Sequence, residues 1–446
     1  MTVYLETYGC QMNFADSEIV VSLLQKEGYS VTDDIEKADY VLINTCAIRD
    51  NAEQRIRKRL RELRALQQRH QQLRIGILGC MAERLQSQLM VEEENVSFVV
   101  GPDAYRSLPD ILKQVRQLGV KAADTDLSTT ETYSDIEPVR LSTNGISAYI
   151  SIMRGCQNYC AYCVVPYTRG RERSRDPETI VGEAHRLFEQ GYKEVTLLGQ
   201  NVNSYRFYPE GEDKKELLVD FPELMRRVAE ISPLLRVRFA TSHPKDLSDK
   251  LLEVMSSYDN ICKCIHLPVQ SGSDRMLKLM NRHYDSAWYL DRIAAIRRYM
   301  PDCSITTDVI AGFCTETEED HQKTLEMFRK VRYDYAYMFK FSMRPNTYAE
   351  KHLTDDVPDA EKTRRLEEII ALQGQIALEN NQHEVGKVFD VLVEGESHRS
   401  KAQLFGRNSQ NKVIVFDRHD VLPGQYVRVK VTDCTAATLK GELVTE

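Results

Sequence analysis

Residues 148–163 read Ala-Tyr-Ile-Ser-Ile-Met-Arg-Gly-Cys-Gln-Asn-Tyr-Cys-Ala-Tyr-Cys. The first six form a short apolar run of strand length, and a glycine soon follows. Three cysteines come next, Cys156, Cys160 and Cys163, in a C-x₃-C-x₂-C loop. Asp176 and Pro177 then supply the N-cap and first helical position of a helix predicted over 177–190. This is one βα unit. The unit recurs downstream, with strands predicted near 194–198, 236–241, 264–267, 304–311 and 334–341. Helices fall between them, among them 221–231, 288–299 and 318–331. Six units in roughly 200 residues predict an incomplete (β/α)6 TIM-like barrel, since a full eight-unit barrel takes about 250. In such barrels the loops after the strands carry the active site, which places the cysteine loop on the functional face. A long amphipathic helix, 359–384, closes this segment.

Upstream the chain repeats a different unit: a short apolar strand, a cysteine, a helix. Strands predicted at 3–8, 40–44 and 74–78 lead to Cys10, Cys46 and Cys80, and helices follow near 15–26, 51–72 and 83–90. With a further strand at 96–100, this predicts a doubly wound parallel sheet. A polar, aperiodic stretch reads as a linker. After residue 383 the pattern changes to short strands with turn residues such as Pro423-Gly424, a small all-β barrel. The expected organisation is therefore an α/β multidomain chain: sheet domain 1–120, linker 121–143, partial barrel 144–382 and β-barrel 383–446.

Composition narrows the function classes. The 446 residues carry a net charge of −8, which excludes a globally basic nucleic-acid binder and leaves only local patches. One such patch is 49–74, with Arg55, Arg57, Lys58, Arg59, Arg61 and Arg64 on a predicted helix, either an RNA-stem contact or a solvated face. No apolar run has the length of a membrane span, and the N-terminus has no signal-peptide pattern, so a cytoplasmic protein is expected. Eleven cysteines in such a compartment are expected to stay reduced.

Three thiolates close in sequence suit an iron–sulfur cluster or zinc. Closed zinc sites want four protein ligands, and no histidine lies within 20 residues of the loop. A [4Fe–4S] cluster normally takes four cysteines, so three leave one iron open for another ligand. Cys10, Cys46 and Cys80 lie far apart in sequence, but each follows a strand end on one sheet edge, where open α/β folds bind ligands. They read either as a second three-ligand centre or as ordinary buried cysteines. Cys262, Cys264, Cys303, Cys314 and Cys434 read as structural, and His243 and His266 lie near strand ends where they could line a pocket.

The C-x₃-C-x₂-C loop resembles the signature of radical S-adenosylmethionine (SAM) enzymes. The stretches Tyr8-Gly9-Cys10-Gln11-Met12-Asn13, Asn44-Thr45-Cys46, Leu78-Gly79-Cys80 and Val164-Val165-Pro166-Tyr167-Thr168-Arg169-Gly170 together resemble the methylthiotransferases of that superfamily. The tail resembles the TRAM domain, a small RNA-binding barrel. The resemblance covers essentially the whole chain, and its motifs look most like the enzymes that methylthiolate N6-isopentenyladenosine in tRNA. Related members act on another tRNA adenosine or on a ribosomal-protein aspartate.

The resemblance implies two [4Fe–4S] clusters, one on Cys156, Cys160 and Cys163 and one on Cys10, Cys46 and Cys80. It implies SAM as both radical source and methyl donor. Tyr162, Gly199, Gln200, Asn201, Ser242, Gln270 and Asp308 are the implied SAM contacts. Arg169, Arg171, Arg173 and Arg175 alternate through the following loop and read as RNA-phosphate contacts or as solvated charges, and Phe405, Arg407 and Phe416 of the tail either grip RNA or, for the phenylalanines, fill the barrel core. The implied partners are a tRNA, an electron donor and a sulfur source, with no membrane, and a monomer is expected. The chain departs from the family pattern at Asn346, where glycine is frequent, and at Cys314-Thr315, where Pro-Gly is frequent.

Overall fold

The computed structural model describes residues 1–46, 50–141, 144–208, 219–397 and 399–444. Its N-terminal sheet has six parallel strands in the order Ser30–Val31, Thr2–Tyr8, Tyr40–Thr45, Arg74–Gly79, Val96–Val100, Ala122–Asp124. The central strand Tyr40–Thr45 is buried throughout, as a parallel strand covered on both faces must be. Strand periodicity divides its side chains. Tyr40 and Leu42 join Ile19, Val20, Leu24, Leu108, Ile111 and Leu112 from helices Gln11–Lys26 and Leu108–Leu118. Val41 and Ile43 join Ile56, Leu60, Leu63 and Leu89 from helices Asp50–Arg69 and Cys80–Glu92 on the other face. The basic helix thus packs a leucine stripe inward. Its Arg57 pairs with Glu53, Glu92 and Glu93, and its Arg59 with Glu6 and Glu62.

The stretch expected to be a linker is largely built into this domain. Ala122–Asp124 adds the sixth strand, and Tyr133 and Ile136 are buried in the sheet's core. The Tyr133 hydroxyl donates to the Pro102 carbonyl at 3.1 Å and accepts the Tyr105 N–H at 3.0 Å. Polarity concealed this, because one buried tyrosine and one buried isoleucine, Tyr133 and Ile136, anchor an otherwise solvated segment. Residues 142–143 lie outside the described residues.

The central segment holds six parallel strands in chain order: Ser147–Ser151, Glu194–Leu198 and Arg236–Ala240, then Cys264–His266, Ser304–Ala311 and Tyr335–Lys340. A single bridge, Val237 to Ile261, links the two halves, and the barrel is open. Asp176 caps the helix Pro177–Glu189 by accepting the Glu178 N–H, and Thr317 with Asp320 forms a capping box on Glu318–Val331.

The tail is a closed five-stranded barrel, Val388–Ser397, Ser400–Arg407, Val413–Asp417, Leu439–Leu443 and Tyr426–Cys434. It docks at the N-terminal ends of the central strands. Buried Glu194 accepts from Arg238 Nε at 2.7 Å and from Arg407 Nη2 at 2.8 Å. Arg238 and Arg236 donate to the carbonyls of Asn408 (2.8 Å) and Arg407 (2.7 Å).

Candidate functional site

The ends of three adjacent N-terminal strands are in register: Tyr8 pairs with Thr45, and Thr45 with Gly79. Neighbouring strands lie about 4.8 Å apart, so the three ends span roughly 10 Å. Cys10 stands two residues past its strand, and Cys46 and Cys80 one past theirs. Gly9 and Gly79 turn the chain at φ of 144° and 85°. A Cβ at Gly9 would meet Asn13 Oδ1 at 2.6 Å and the Cys46 Cβ at 2.8 Å. Only glycine lets these cysteines come so close to one another. Beneath them Cys10 donates to Asn13 Oδ1 at 3.3 Å, and Asn44 donates to Ser17 at 2.9 Å. The Cys10 thiol is pulled down to about 6 by its hydrogen bond with Cys46 and by the Arg169 charge, against burial. Burial pushes the Cys80 thiol up, with Arg169 opposing.

The second triad lies at the other strands' C-terminal end. Gly155 takes φ of 79°, and a Cβ there would run into the carbonyls of Gly170 and Arg171. Cys156 N–H donates to the Gly170 carbonyl at 3.1 Å, and Cys163 N–H to the Cys160 carbonyl at 2.9 Å. Arg282 reaches in from a neighbouring loop and donates to Cys160 Sγ and to the Tyr162 hydroxyl, both at 3.2 Å. Burial pushes the Cys156 thiol up to about 11 and Cys163 higher still. These cysteines are costly to ionise unless something cationic binds them.

Among the described residues, the three sulfurs of neither triad lie within 4.8 Å of one another. A single tetrahedral zinc with Zn–S near 2.3 Å would need sulfurs roughly 3.8 Å apart. Triads in which at least one pair of sulfurs stands more than 4.8 Å apart suit a polynuclear cluster better.

The two triads are neighbours. Cys80 packs on Val164, the residue after Cys163. Arg169 spans the seam, its Nε donating to Cys80 Sγ at 3.2 Å and its Nη2 to Asp16 at 2.7 Å, while Nη1 is buried with no partner. An unpartnered cationic donor beside three thiols fits an anionic cluster there. Asp16 also takes Arg154 at 2.9 Å, and Asp103 takes Arg173 at 2.8 Å. Arg175 pairs with Glu183 at 2.5 Å. The loop arginines therefore depart from the phosphate-binding expectation. Arg169, Arg173 and Arg175 spend their charge inside the protein, because strand Arg173–Ser174 turns that face inward, and only Arg171 is exposed. Arg407 is likewise held by Glu194 and Glu394 at the opposite end of the barrel, and Phe416 lies in the tail's core, while Phe405 is half-buried.

The expected SAM contacts gather at the cysteine-loop end of the barrel. Tyr162 packs edge-on against Phe313 at 6.3 Å. Gly199 N–H donates to the Ala240 carbonyl at 3.0 Å, and Ser242 donates to Asn203 at 3.2 Å. Gln270 N–H donates to the Asp308 carbonyl at 2.8 Å, and Asp308 faces His266 at 3.4 Å. Gln200 Oε1, Asn201 Oδ1, Asn203 Nδ2 and His243 Nε2 are buried with no partner. Buried polar atoms are normally paired, so these four are free to take a polar ligand. His243 Nδ1 accepts the Lys245 N–H at 3.3 Å, and burial and Arg282 push its pKa far down, leaving a neutral ring with the proton on Nε2. Asn203, Arg282 and Asp16 carried no sequence signal; burial of their charge or amide is a tertiary fact.

A parallel half-barrel with three cysteines after its first strand defines a radical SAM fold. Residues 150–328 match the radical SAM superfamily, 382–444 the TRAM domain, and 2–101 the uncharacterized protein family UPF0004. A solved radical S-adenosylmethionine methyltransferase, TsrM, from Kitasatospora setae shares this fold, with a TM-score of 0.57 and 13% identity over 78% of this chain and 75% of that one. Two tRNA-2-methylthio-N(6)-dimethylallyladenosine synthases are far more similar. That of Amoebophilus asiaticus is 58% identical, covering 99% of this chain and 92% of its own. That of Bacteroides thetaiotaomicron is 57% identical, covering 99% and 96%. The chain belongs to this family of radical SAM methylthiotransferases.

Proposed function

We propose that this chain converts N6-isopentenyladenosine beside the tRNA anticodon into its 2-methylthio derivative, replacing the C–H bond at adenine C2 with C–S–CH₃. The observation that carries the reading is the seam, where Cys80 of one three-cysteine site packs on Val164 beside the other, and Arg169, from the loop after Cys163, donates to Cys80. Cys156, Cys160 and Cys163 would hold a [4Fe–4S] cluster that supplies the electron for SAM cleavage, and Cys10, Cys46 and Cys80 would hold one that carries the sulfur to be transferred. The protein's own groups do the rest. Arg282 and Arg169 each stabilise one ligating thiolate. His243 Nε2–H and Asn203 Nδ2 offer donors to the SAM carboxylate, and Gln200 Oε1 and Asn201 Oδ1 offer acceptors to its ammonium. Tyr162 and Phe313 wall the site beside Cys163 and limit water.

Each turnover consumes electrons and a sulfur atom, so an electron donor and a sulfur source are partners. The chain works as a cytoplasmic monomer in this reading. Among the described residues no helix is long and apolar enough to cross a membrane.

Two measurements test it. Bulk tRNA from cells lacking the gene is expected to lose 2-methylthio-N6-isopentenyladenosine and accumulate its precursor. An unchanged nucleoside profile would move the chemistry to another substrate. Cys10→Ala, Cys46→Ala or Cys80→Ala is expected to keep SAM cleavage to 5′-deoxyadenosine and abolish methylthiolation. Product from such a variant would overturn the auxiliary site.

A further inference from the structure

Tyrosines rim the mouth of the cysteine loop in a way that packing does not explain. Tyr159, immediately before Cys160, is 46% exposed, and Tyr167 is 40% exposed, their rings edge-to-face at 6.3 Å. Tyr159 sits at φ of +46°, a left-handed backbone unfavourable for a bulky residue. That backbone is held from below, by Asn281 Nδ2 donating to the Tyr159 carbonyl at 2.9 Å. Strain is thus spent on turning a large ring into solvent.

The short helix Tyr348–His352 extends the surface. It is pinned to the loop by the Ala349 N–H on the Ala161 carbonyl at 2.8 Å. Its Tyr348 is 49% exposed and stacks on His352 at 4.2 Å, and Lys351 Nζ lies 5.8 Å over the Tyr167 ring. Exposed flat rings with a lysine over one of them match nucleobases strung on a phosphate backbone. They match an acidic or apolar peptide less well, since each ring keeps an exposed edge or face and a lysine sits over one of them.

We propose that Tyr159, Tyr167 and Tyr348 form a stacking platform for unstacked bases of an RNA loop, flanking the base that enters the site. The proposal rests on the tRNA reading above. It assigns to aromatic rings the recognition that the buried arginines of the same loop cannot provide.

The test uses full-length, iron-loaded protein kept anaerobic, and a fluorescent anticodon stem-loop RNA carrying N6-isopentenyladenosine. Tyr167→Ala and Tyr348→Ala are each expected to weaken binding by roughly 5- to 100-fold, the range for one stacked base. Tyr167→Phe and Tyr348→Phe are expected to stay within about twofold, because stacking needs the ring and not the hydroxyl. Salt dependence is expected to keep its slope, since no phosphate contact is lost. Iron content and SAM cleavage without RNA are measured in every variant; Tyr348 lies outside the cysteine loop, so its variant reports even where Tyr167→Ala loses iron. Alanine variants that bind like the wild type overturn the platform, as do phenylalanine variants that fail like alanine. Wild-type protein that binds no stem-loop sinks the underlying tRNA reading instead.

Discussion

Asp16→Asn is the sharpest test of the seam. The Asp16 side chain is fully buried and serves two guanidiniums, those of Arg154 and Arg169, themselves 1% and 4% exposed. Removing the charge takes from Arg169 its carboxylate partner and leaves Arg154 with the looser ion pair to Asp103 at 3.5 Å, and breaking such a pair costs about 3–5 kcal/mol. Asparagine keeps one acceptor oxygen, so the lower end applies, about 3 kcal/mol. For domains of this size each kcal/mol moves the melting temperature by about 2–4 °C, giving a drop of roughly 6–12 °C. The chemistry should split as well. Arg169 loses its anchor and loosens from Cys80, whereas Cys156, Cys160 and Cys163 do not touch Asp16. The variant is expected to cleave SAM near the wild-type rate and to form methylthiolated product much more slowly. Calorimetry and paired assays of 5′-deoxyadenosine and modified nucleoside read both outcomes. A variant melting within about 2 °C of wild type, with full product yield, would refute the reasoning.

Glu83 gives a pH test. Burial first, then Asp103, Asp126 and Asp124, push its carboxyl up to about 8 from 4.5. The folded state therefore favours the protonated form, and this contribution is fully present below pH 4.5 and lost as pH rises through 8. A shift of that size corresponds to at most about 5 kcal/mol, and local relaxation around the buried carboxyl brings the expected effect to a few kcal/mol. Glu83→Gln is expected to flatten the fall in stability between pH 5 and 8, measured by denaturant titration at several pH values; parallel curves would contradict it. Thr315 occupies φ of +61°, a left-handed conformation poor for a β-branched residue. Thr315→Gly is expected to gain up to about 1 kcal/mol by relieving that strain, read from the denaturation midpoint. Gly155→Ala is expected to lose iron from the first-strand loop, because its Cβ would run into two carbonyls and its φ is 79°.

Much of the architecture was legible because parallel strands and their helices leave periodic apolar marks. Predicted strand ends at residues 8, 44 and 78 lie within one residue of the observed Tyr8, Thr45 and Gly79, and this sufficed to bring Cys10, Cys46 and Cys80 to one edge. The arginines were misread for a definite reason. Their alternation suggested an exposed basic loop, whereas at Arg173 and Arg175 it reflects a face turned toward acids 70 residues upstream and 8 downstream, Asp103 and Glu183. Nothing local distinguishes the two cases. The departures at positions 315 and 346 resolve simply: Thr315 and Asn346 stand at φ of 61° and 67°, so the turns expected of glycine persist without it. Asn346 tolerates this readily and Thr315 does not. The Tyr133 segment was missed because two buried side chains, Tyr133 and Ile136, carry no periodicity.

The seam between the N-terminal sheet and the half-barrel also limits how the two could be recombined. Their shared apolar contact is small, Met12 and Ala15 against Leu198 and Cys80 against Val164, while Asp16 and Asp103 on one side meet Arg154, Arg169 and Arg173 on the other, and Arg140 of the connecting stretch ties Glu18 to Glu183. A chimera pairing this sheet with a foreign barrel would bury several carboxylates opposite nothing, and a foreign sheet would do the same to the arginines. The charges work as a key cut for one lock: they reject mismatched halves more strongly than they attract the right one.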